Sequence, residues 1–134
     1  MNIAIIGATG VVGEEIINCL AEKNFPISTL RLVTSARSAG KIIKTKFGRI
    51  KLLGLNKKTF KGIDIALFAA GSKISANWAP IAAGQGCLVI DNSSYFRYQK
   101  DVPLVIPEIN PQAAFKHQGI IANPNCTTAI AAVP

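Results

Sequence analysis

The residue best suited to covalent chemistry is Cys126, which lies near the end of a 134-residue chain. An apolar run and a proline-containing turn, IIANPN at 120–125, precede it, and small helix-forming residues follow it. Pro124 fixes its own φ, and Asn125 suits the N-cap of a helix that begins at Cys126. The unpaired N–H groups and the dipole of such a helix would stabilise a thiolate, which is a nucleophile. The alternative is that Cys126 is a small buried residue, as most free cysteines are.

A glycine-rich turn near the start of the chain indicates a binding site for a dinucleotide. The segment GATGVVG at 7–13 lies between an apolar run typical of a strand and a pattern typical of a helix. Backbone N–H groups in such a turn can hold a pyrophosphate. Gly7, Gly10 and Gly13 would permit the tight turn, the close approach of the phosphate and tight helix–strand packing. The alternative is a turn with a purely structural role.

The loop after the second predicted strand bears on the form of the nucleotide. NAD-specific sites usually carry an acidic residue there, which binds the ribose 2′-hydroxyl. This chain has SARSAG at 35–40 instead. Arg37 and the serines, among them Ser38, offer donors that fit the 2′-phosphate of NADP. The alternative is that Arg37 is a solvated loop residue.

Two further loops follow predicted strands and could meet a ligand. Gly71 comes after the apolar run at 63–70, and a glycine at the carboxyl end of a parallel strand lets a cofactor approach. The segment DNSSYFR at 91–97 follows the next strand, and Arg97 could grip a phosphate with two hydrogen bonds. Taken alone, Arg97 could equally form a surface salt bridge. His117 suits a charge at a helix C-terminus better than a catalytic role.

These residues need a scaffold in which strands alternate with helices. Apolar and periodic patterns predict strands at 2–6, 30–34, 63–70, 87–90 and 104–110, helices at 11–23 and 75–83, and a hairpin over 41–53. The sequence therefore predicts an α/β fold, a Rossmann-like doubly wound, mostly parallel sheet with helices on both faces. Ser75 would cap the second helix, and Cys19 and Cys87 would be shielded from solvent.

Composition limits the classes of protein that fit. The length and a hydrophobic content of 49% suit one domain, with neither a membrane span nor a secretory signal. Three cysteines form no disulfide framework or metal-binding spacing, so we expect a cytoplasmic protein without a metal. Ten of the fifteen basic residues lie between Arg31 and Lys61, but no aromatic residues alternate with them as a nucleic-acid platform requires. We expect a phosphorylated small molecule as the partner, and no nucleic acid or membrane.

Four segments together resemble aspartate-semialdehyde dehydrogenase, an enzyme family of amino-acid biosynthesis. They are GATGVVG at 7–13, SARSAG at 35–40, DNSSYFR at 91–97 and NPNCTT at 123–128, in the order that the family has them. The first is common to many nucleotide-binding folds. The last two, with IPEIN at 106–110 between them, are far more specific.

The resemblance implies the reversible NADPH-dependent reduction of aspartyl 4-phosphate to aspartate 4-semialdehyde, with release of phosphate, in lysine, threonine and methionine biosynthesis. It implies that Cys126 carries a covalent thioester and that Arg97 and Asn125 contact the phosphate. It also implies a homodimer or larger homo-oligomer. The pyrophosphate would be held by Thr9, Gly10, Val11 and Val12, and the 2′-phosphate by Arg37 and Ser38.

The acid/base histidine and the substrate-orienting residues of that family lie in a second domain, which this chain lacks. Residues 129–134 also look like a helix that is cut off soon after its start. We therefore expect 1–134 to be the NADP-binding domain of a longer protein and to be inactive alone. The nearest alternative enzyme is N-acetyl-glutamyl-phosphate reductase, whose usual Asn-Pro-Gly-Cys-Tyr motif differs at Asn125 and Thr127. The other alternative is a non-catalytic nucleotide-binding module, against which Cys126 and Arg97 argue.

Overall fold

The centre of the molecule is a parallel sheet, seen in a computed structural model that describes residues 1–133. Its strands are β1 (Asn2–Ile6), β2 (Thr29–Thr34), β5 (Leu53–Gly54), β6 (Ile65–Phe68), β7 (Leu88–Asp91) and β8 (Ile120–Ala122). They lie in the order β5-β2-β1-β6-β7-β8, and every neighbouring pair is parallel. Two further strands, β3 (Ile42–Thr45) and β4 (Gly48–Lys51), form a separate antiparallel hairpin, as predicted.

Helices connect the strands and cover the sheet. They are α1 (Val11–Glu22), α2 (Ser72–Gly84) and α3 (Cys126–Ala132), with 3-10 helices at Lys57–Phe60 and Pro111–Lys116. Within residues 1–133, none of the helices has the length and apolar character needed to cross a membrane.

Side chains of β1 alternate between two cores, one on each face of the sheet. Ile5 packs in one buried cluster with Ile17 of α1. Ile6 packs in the other cluster with Ala79 of α2. Helices therefore lie on both faces, and the predicted doubly wound fold is confirmed.

Helix α2 differs from its prediction in where it begins. It starts at Ser72, and Gly71 is its N-cap, with φ of +86° and ψ of 166°. Such a conformation is essentially restricted to glycine, so the chain turns into the helix earlier than a serine cap would indicate. The predicted capping role of Ser75 is wrong. Ser75 lies in the first turn of α2 and is buried from solvent, and its hydroxyl donates a hydrogen bond to the Asp91 carboxylate at 2.5 Å.

The predicted strand at 104–110 is also wrong. Leu104 alone makes a parallel bridge, to Ala122 at the end of β8. The following residues turn, because the Asn110 side chain accepts a hydrogen bond from the backbone N–H of Ile106 at 2.7 Å. Ile106 in turn accepts from the N–H of Ile109, so the pairing with β8 ends after Val105, whose N–H donates to the Ala122 carbonyl at 3.0 Å.

Cys19 is exposed, which contradicts the expectation that it is shielded. It lies on the solvent side of α1, and its thiol donates to the Glu15 carboxylate at 3.8 Å. The apolar spacing of α1 placed Cys19 close to the packed stripe, but that stripe is narrow and centres on Ile17. Cys87 is buried, as predicted.

Candidate active site at the carboxyl edge of the sheet

A cavity of about 590 Å³ lies where the carboxyl ends of β1, β2 and β6 meet. The chain passes from β1 to β2 on one side and resumes with β6 on the other, so this is the point where the strand order reverses. Ligands of doubly wound folds bind at such a point. The lining residues are Ile6, Gly7, Thr9, Gly10, Val33, Thr34, Ser35, Ala36, Gly54, Leu55, Ala69, Ala70, Ile74 and Trp78.

The glycine turn between β1 and α1 forms one wall of this cavity. Gly7 has a φ of +91°, and a Cβ atom there would lie 2.6 Å from the carbonyl oxygen of Ala69, the residue directly after β6. A Cβ on Gly13 would lie 2.2 Å from the Gly7 oxygen, so α1 can approach the turn only with glycine at that position. These two glycines make the tight turn and the close helix–strand packing.

Gly10 differs from the other two glycines of the turn, because a Cβ there would meet only the Gly7 oxygen, at 3.4 Å. It is the N-cap of α1 and provides no side-chain hydrogen bond to the helix. The first N–H groups of α1, those of Val11 and Val12, therefore lack a capping side chain, and both residues are exposed. This is the arrangement that binds a pyrophosphate.

Thr34 and Leu55 line the same cavity but were not singled out by the sequence. Thr34 ends β2, and its hydroxyl lies 2.9 Å from the hydroxyl of Thr9 in the glycine turn. The position of Thr34 at the carboxyl end of a predicted strand could have marked it as a cavity-lining residue. Leu55 follows β5, a strand of two residues, which is too short to give a periodic pattern.

Arg37 and Ser38 follow the cavity-lining residues Ser35 and Ala36 directly, so they lie in the loop at its rim. The loop turns back on itself, since the N–H groups of Ser38 and Ala39 both donate to the Ser35 oxygen. The Arg37 side chain is exposed and makes neither an ion pair nor a hydrogen bond within residues 1–133. A guanidinium in that state is available to an anion.

Gly71 lies between β6 and α2, next to the lining residue Ala70, but does not itself line the cavity. A Cβ there would meet nothing within 4 Å, so the space in front of it is open. The next residue, Ser72, has its hydroxyl 3.0 Å from the hydroxyl of Ser94. This contact joins the start of α2 to the loop after β7.

Arg97 holds together the loops that follow β7 and β8. Its Nε donates to the Asn123 oxygen at 2.9 Å, and its Nη2 donates to the Asn92 oxygen at 3.1 Å. The Asn123 side-chain amide donates to the Asn92 side-chain oxygen at 2.8 Å. Arg97 forms no salt bridge within the part of the chain that the structure describes. A guanidinium carries five N–H donors, so donors remain for an anion.

Cys126 is exposed at the first position of α3, which excludes the alternative of a small buried residue. Asn125 is the N-cap, as predicted, and its side-chain oxygen accepts from the Thr127 N–H at 3.1 Å. The same oxygen also accepts from the Thr127 hydroxyl at 3.0 Å and from the Cys126 thiol at 3.3 Å. The Asn125 amide nitrogen makes no hydrogen bond within residues 1–133, so it is available as a donor beside the sulfur.

His117 is exposed and lies at the end of a 3-10 helix, where its Nδ1 accepts the N–H of Gly119 at 2.9 Å. The structure thus brings Arg97 to the cysteine segment, through the Asn123 carbonyl, but gives His117 a local partner. Within the described residues 1–133, no three His, Cys, Asp or Glu side chains are grouped to hold a metal ion.

The fold and the site at the carboxyl edge of the sheet define a dinucleotide-binding domain with an exposed cysteine, Cys126. The loop that precedes this cysteine is held in place by a hydrogen bond from Arg97. Residues 2–117 match the model of the family described as semialdehyde dehydrogenase, NAD binding domain, and the chain belongs to that family. This confirms the resemblance drawn from the four sequence segments.

Among the relatives, aspartate-semialdehyde dehydrogenase of Synechocystis sp. is 47% identical over 133 residues, which are 99% of this chain and 39% of the relative. A crystal structure of aspartate semialdehyde dehydrogenase II from Vibrio cholerae, complexed with ASA, superposes with a TM-score of 0.86 at 47% identity. The match covers 96% of this chain and 42% of that one. The enzyme from Candida albicans, crystallised with NADP, gives 0.76 at 28% identity over 96% and 44% of the two chains. This chain therefore spans well under half the length of these relatives.

Proposed function

We propose that residues 1–134 are the NADP-binding part of an aspartate-semialdehyde dehydrogenase. The observation that carries this proposal is the exposed Cys126 together with its link to Arg97. Arg97 Nε donates a hydrogen bond to the Asn123 carbonyl, three residues before the cysteine, at 2.9 Å. The whole enzyme would reduce aspartyl 4-phosphate to aspartate 4-semialdehyde in lysine, threonine and methionine biosynthesis. By the same resemblance it would be a cytoplasmic homodimer or larger homo-oligomer.

NADP fits the cavity better than NAD. The glycine turn leaves the uncapped N–H groups of Val11 and Val12 for the pyrophosphate. At the end of β2 the loop carries Arg37 and Ser38, with no acidic residue to repel a 2′-phosphate. Gly71 leaves open space for the remainder of the nucleotide. When bound there, the reduced cofactor supplies a hydride.

The residues around Cys126 suit displacement of phosphate from an acyl phosphate. The thiolate attacks the acyl carbon, a carbon–sulfur bond forms, and the carbon–oxygen bond to phosphate breaks with its electron pair on the leaving phosphate. The remaining N–H groups of Arg97 and the free amide of Asn125 would stabilise that anion. After reduction of the thioester, collapse of the thiohemiacetal releases the aldehyde and returns the cysteine.

The proposal is tested by phosphate protection of Cys126. We expect inorganic phosphate, at constant ionic strength, to slow the alkylation of Cys126 by iodoacetamide, as followed by peptide mass mapping. Arg97→Gln should abolish the protection. A matched control is Arg31→Gln, because Arg31 also donates to two backbone carbonyls, those of Thr59 and Lys61, but in another part of the molecule. Folded protein in which phosphate leaves the rate unchanged would contradict the proposal.

A further inference from the structure

The buried carboxylate of Asp91 has no part in the chemistry proposed above, yet it lies beside the loops that carry that chemistry. Asp91 ends β7 and has no exposed surface. Its Oδ1 accepts from the Ser75 hydroxyl at 2.5 Å, and its Oδ2 accepts from the Ser93 hydroxyl at 2.6 Å. It makes no ion pair within residues 1–133. A buried carboxylate without a cation is costly, so a role that requires it is expected.

The contact with Ser93 leads directly to the loop that holds Arg97. The Ser93 hydroxyl donates a hydrogen bond to Asp91. The Ser93 oxygen is therefore oriented to accept a hydrogen bond from the N–H of Tyr95, at 3.2 Å. A carboxylate can only accept, so it imposes this direction on the hydroxyl, which a neutral amide would not. The side chain of Asp91 thereby fixes the path of the backbone that leads to Arg97.

The backbone of Asp91 reaches the cysteine segment as well. Its carbonyl oxygen accepts the N–H of Asn123 at 2.8 Å, and Asn123 accepts from Arg97 through its own carbonyl. One residue thus contacts both loops, the first through its carboxylate and the second through its backbone. Ser75, by contrast, ties the same carboxylate to the first turn of α2, and its side chain makes no hydrogen bond to either loop within residues 1–133.

We propose that Asp91 is a positioning residue whose carboxylate, acting through Ser93, holds Arg97 in the orientation that binds the phosphate displaced at Cys126. The inference rests on the proposed function, since it concerns the same anion site. Ser93 and Ser75 therefore have different roles, although both donate hydrogen bonds to the Asp91 carboxylate. Ser93 sets the anion site, and Ser75 stabilises the fold.

The two serines form a matched pair for the test. The dissociation constant of inorganic phosphate is measured from the protection of Cys126 against iodoacetamide, and the melting temperature is measured alongside. Ser93→Ala should weaken phosphate binding about tenfold, as expected when a charged donor is misplaced. Ser75→Ala should lower the melting temperature at least as much but leave phosphate binding within about twofold. Asp91→Asn should behave as Ser93→Ala in phosphate binding.

The outcomes separate this inference from the proposed function. Unchanged phosphate binding in Ser93→Ala overturns the inference and leaves the proposed function intact. Equal weakening in Ser75→Ala and Ser93→Ala also overturns it, because a general loosening would then explain both. Absence of protection in the unmutated chain contradicts the proposed function, and the inference falls with it. If Asp91→Asn does not fold, the two serine variants decide the question.

Discussion

At the scale of single residues, two arginines of this site are placed in opposite ways. Arg97 is half-buried and donates two hydrogen bonds, to the backbone carbonyls of Asn92 and Asn123. Arg37 is exposed and has no hydrogen bond or ion pair within residues 1–133. Replacing Arg97 will disturb two loops together with any anion contact. Replacing Arg37 should affect ligand binding alone, so it is the cleaner probe of cofactor choice.

The chain should bind NADP more tightly than NAD, and Arg37→Ala should narrow that difference. Loss of a charge-assisted contact is worth roughly 1.5–3 kcal/mol, or about ten- to a hundredfold in affinity. Calorimetric titration with both nucleotides measures it. Arg49→Ala is the control, because Arg49 is another exposed arginine but lies on the hairpin. Equal affinities of the unmutated chain for NADP and NAD would overturn this prediction.

Access should separate the three cysteines in their reaction with iodoacetamide. Cys126 and Cys19 are exposed, whereas Cys87 is buried. We expect a limiting dose near neutral pH to label Cys126 first, since it is the nucleophile of the proposed function, and Cys87 last, since it is buried. Peptide mass mapping gives the order, and denatured protein is the control in which all three react. Cys19 labelled ahead of Cys126 in the folded chain would count against Cys126 as the nucleophile.

Cys87 should make the stability of the fold depend on alkaline pH. Burial raises the pKa of its thiol above the ordinary value of 9.0, and the negative charge of Asp64 adds to this. The folded state therefore prefers the protonated thiol. Its stability is fully present below about pH 9 and is lost as the pH rises through the folded pKa. Melting curves should show this loss in the unmutated chain relative to Cys87→Ala. Parallel pH profiles would refute it.

At the scale of elements, the β3–β4 hairpin carries several of the basic side chains of the chain and places them at the surface. Ile43 and Ile50 pack against the core on the α1 face of the sheet. Lys46 pairs with Glu22 of α1 at 2.8 Å, and this contact lowers the pKa of the Glu22 carboxyl. The other basic side chains of the hairpin are exposed. The hairpin thus covers the core with one face and presents its lysines and arginine to solvent.

The turn from β1 to α1 should tolerate no side chain at Gly13. A methyl group there would lie 2.2 Å from the Gly7 oxygen, so Gly13→Ala must push α1 away from the turn. We expect a loss of about 1–3 kcal/mol in the free energy of unfolding, with weaker nucleotide binding. Gly84→Ala is the matched control. Gly84 is the last residue of α2 and has open space, so alanine there should be neutral or slightly stabilising. Denaturant unfolding compares the two, and equal effects would contradict the packing argument.

At the scale of the whole molecule, a parallel sheet brings distant segments to one edge. The glycine turn follows β1, the Arg37 loop follows β2, and the Arg97 loop follows β7. Cys126 begins α3, directly after the short loop that follows β8. All these strands run in one direction, so the nucleotide cavity and the cysteine share the carboxyl edge. The fold thereby assembles a site from residues that are far apart in sequence.

The chain alone should bind nucleotide without turning over substrate. Its His117 is engaged with Gly119, and the chain spans 39% of the Synechocystis relative. Lack of proton transfer costs about 10²–10⁴-fold, and loss of substrate positioning adds to that. The assay is phosphate-dependent formation of NADPH from aspartate semialdehyde, with a full-length relative as the positive control. Turnover near that of the control would refute this prediction.

The sequence by itself determined the features that depend on neighbouring residues. The strand, glycine turn and helix from 2 to 22 follow from apolar spacing and from the three glycines, because backbone sterics act over a few residues. The hairpin follows in the same way. The capping role of Asn125 was also readable, since an N-cap is satisfied within two positions of itself.

Tertiary structure alone decided which distant groups meet. No local signal could reveal that Arg97 donates to Asn123 or that Ser75 and Ser93 share the carboxylate of Asp91. The apolar run at 104–110 has the composition of a strand, but a strand exists only where a partner offers unpaired N–H and C=O groups. Beside β8 the pairing is confined to the Leu104 bridge, which the Pro103 carbonyl and the Val105 N–H make with Ala122, because the next N–H, that of Ile106, is taken by the Asn110 side chain. Composition sets what a segment can become, and the order of the strands sets what it pairs with.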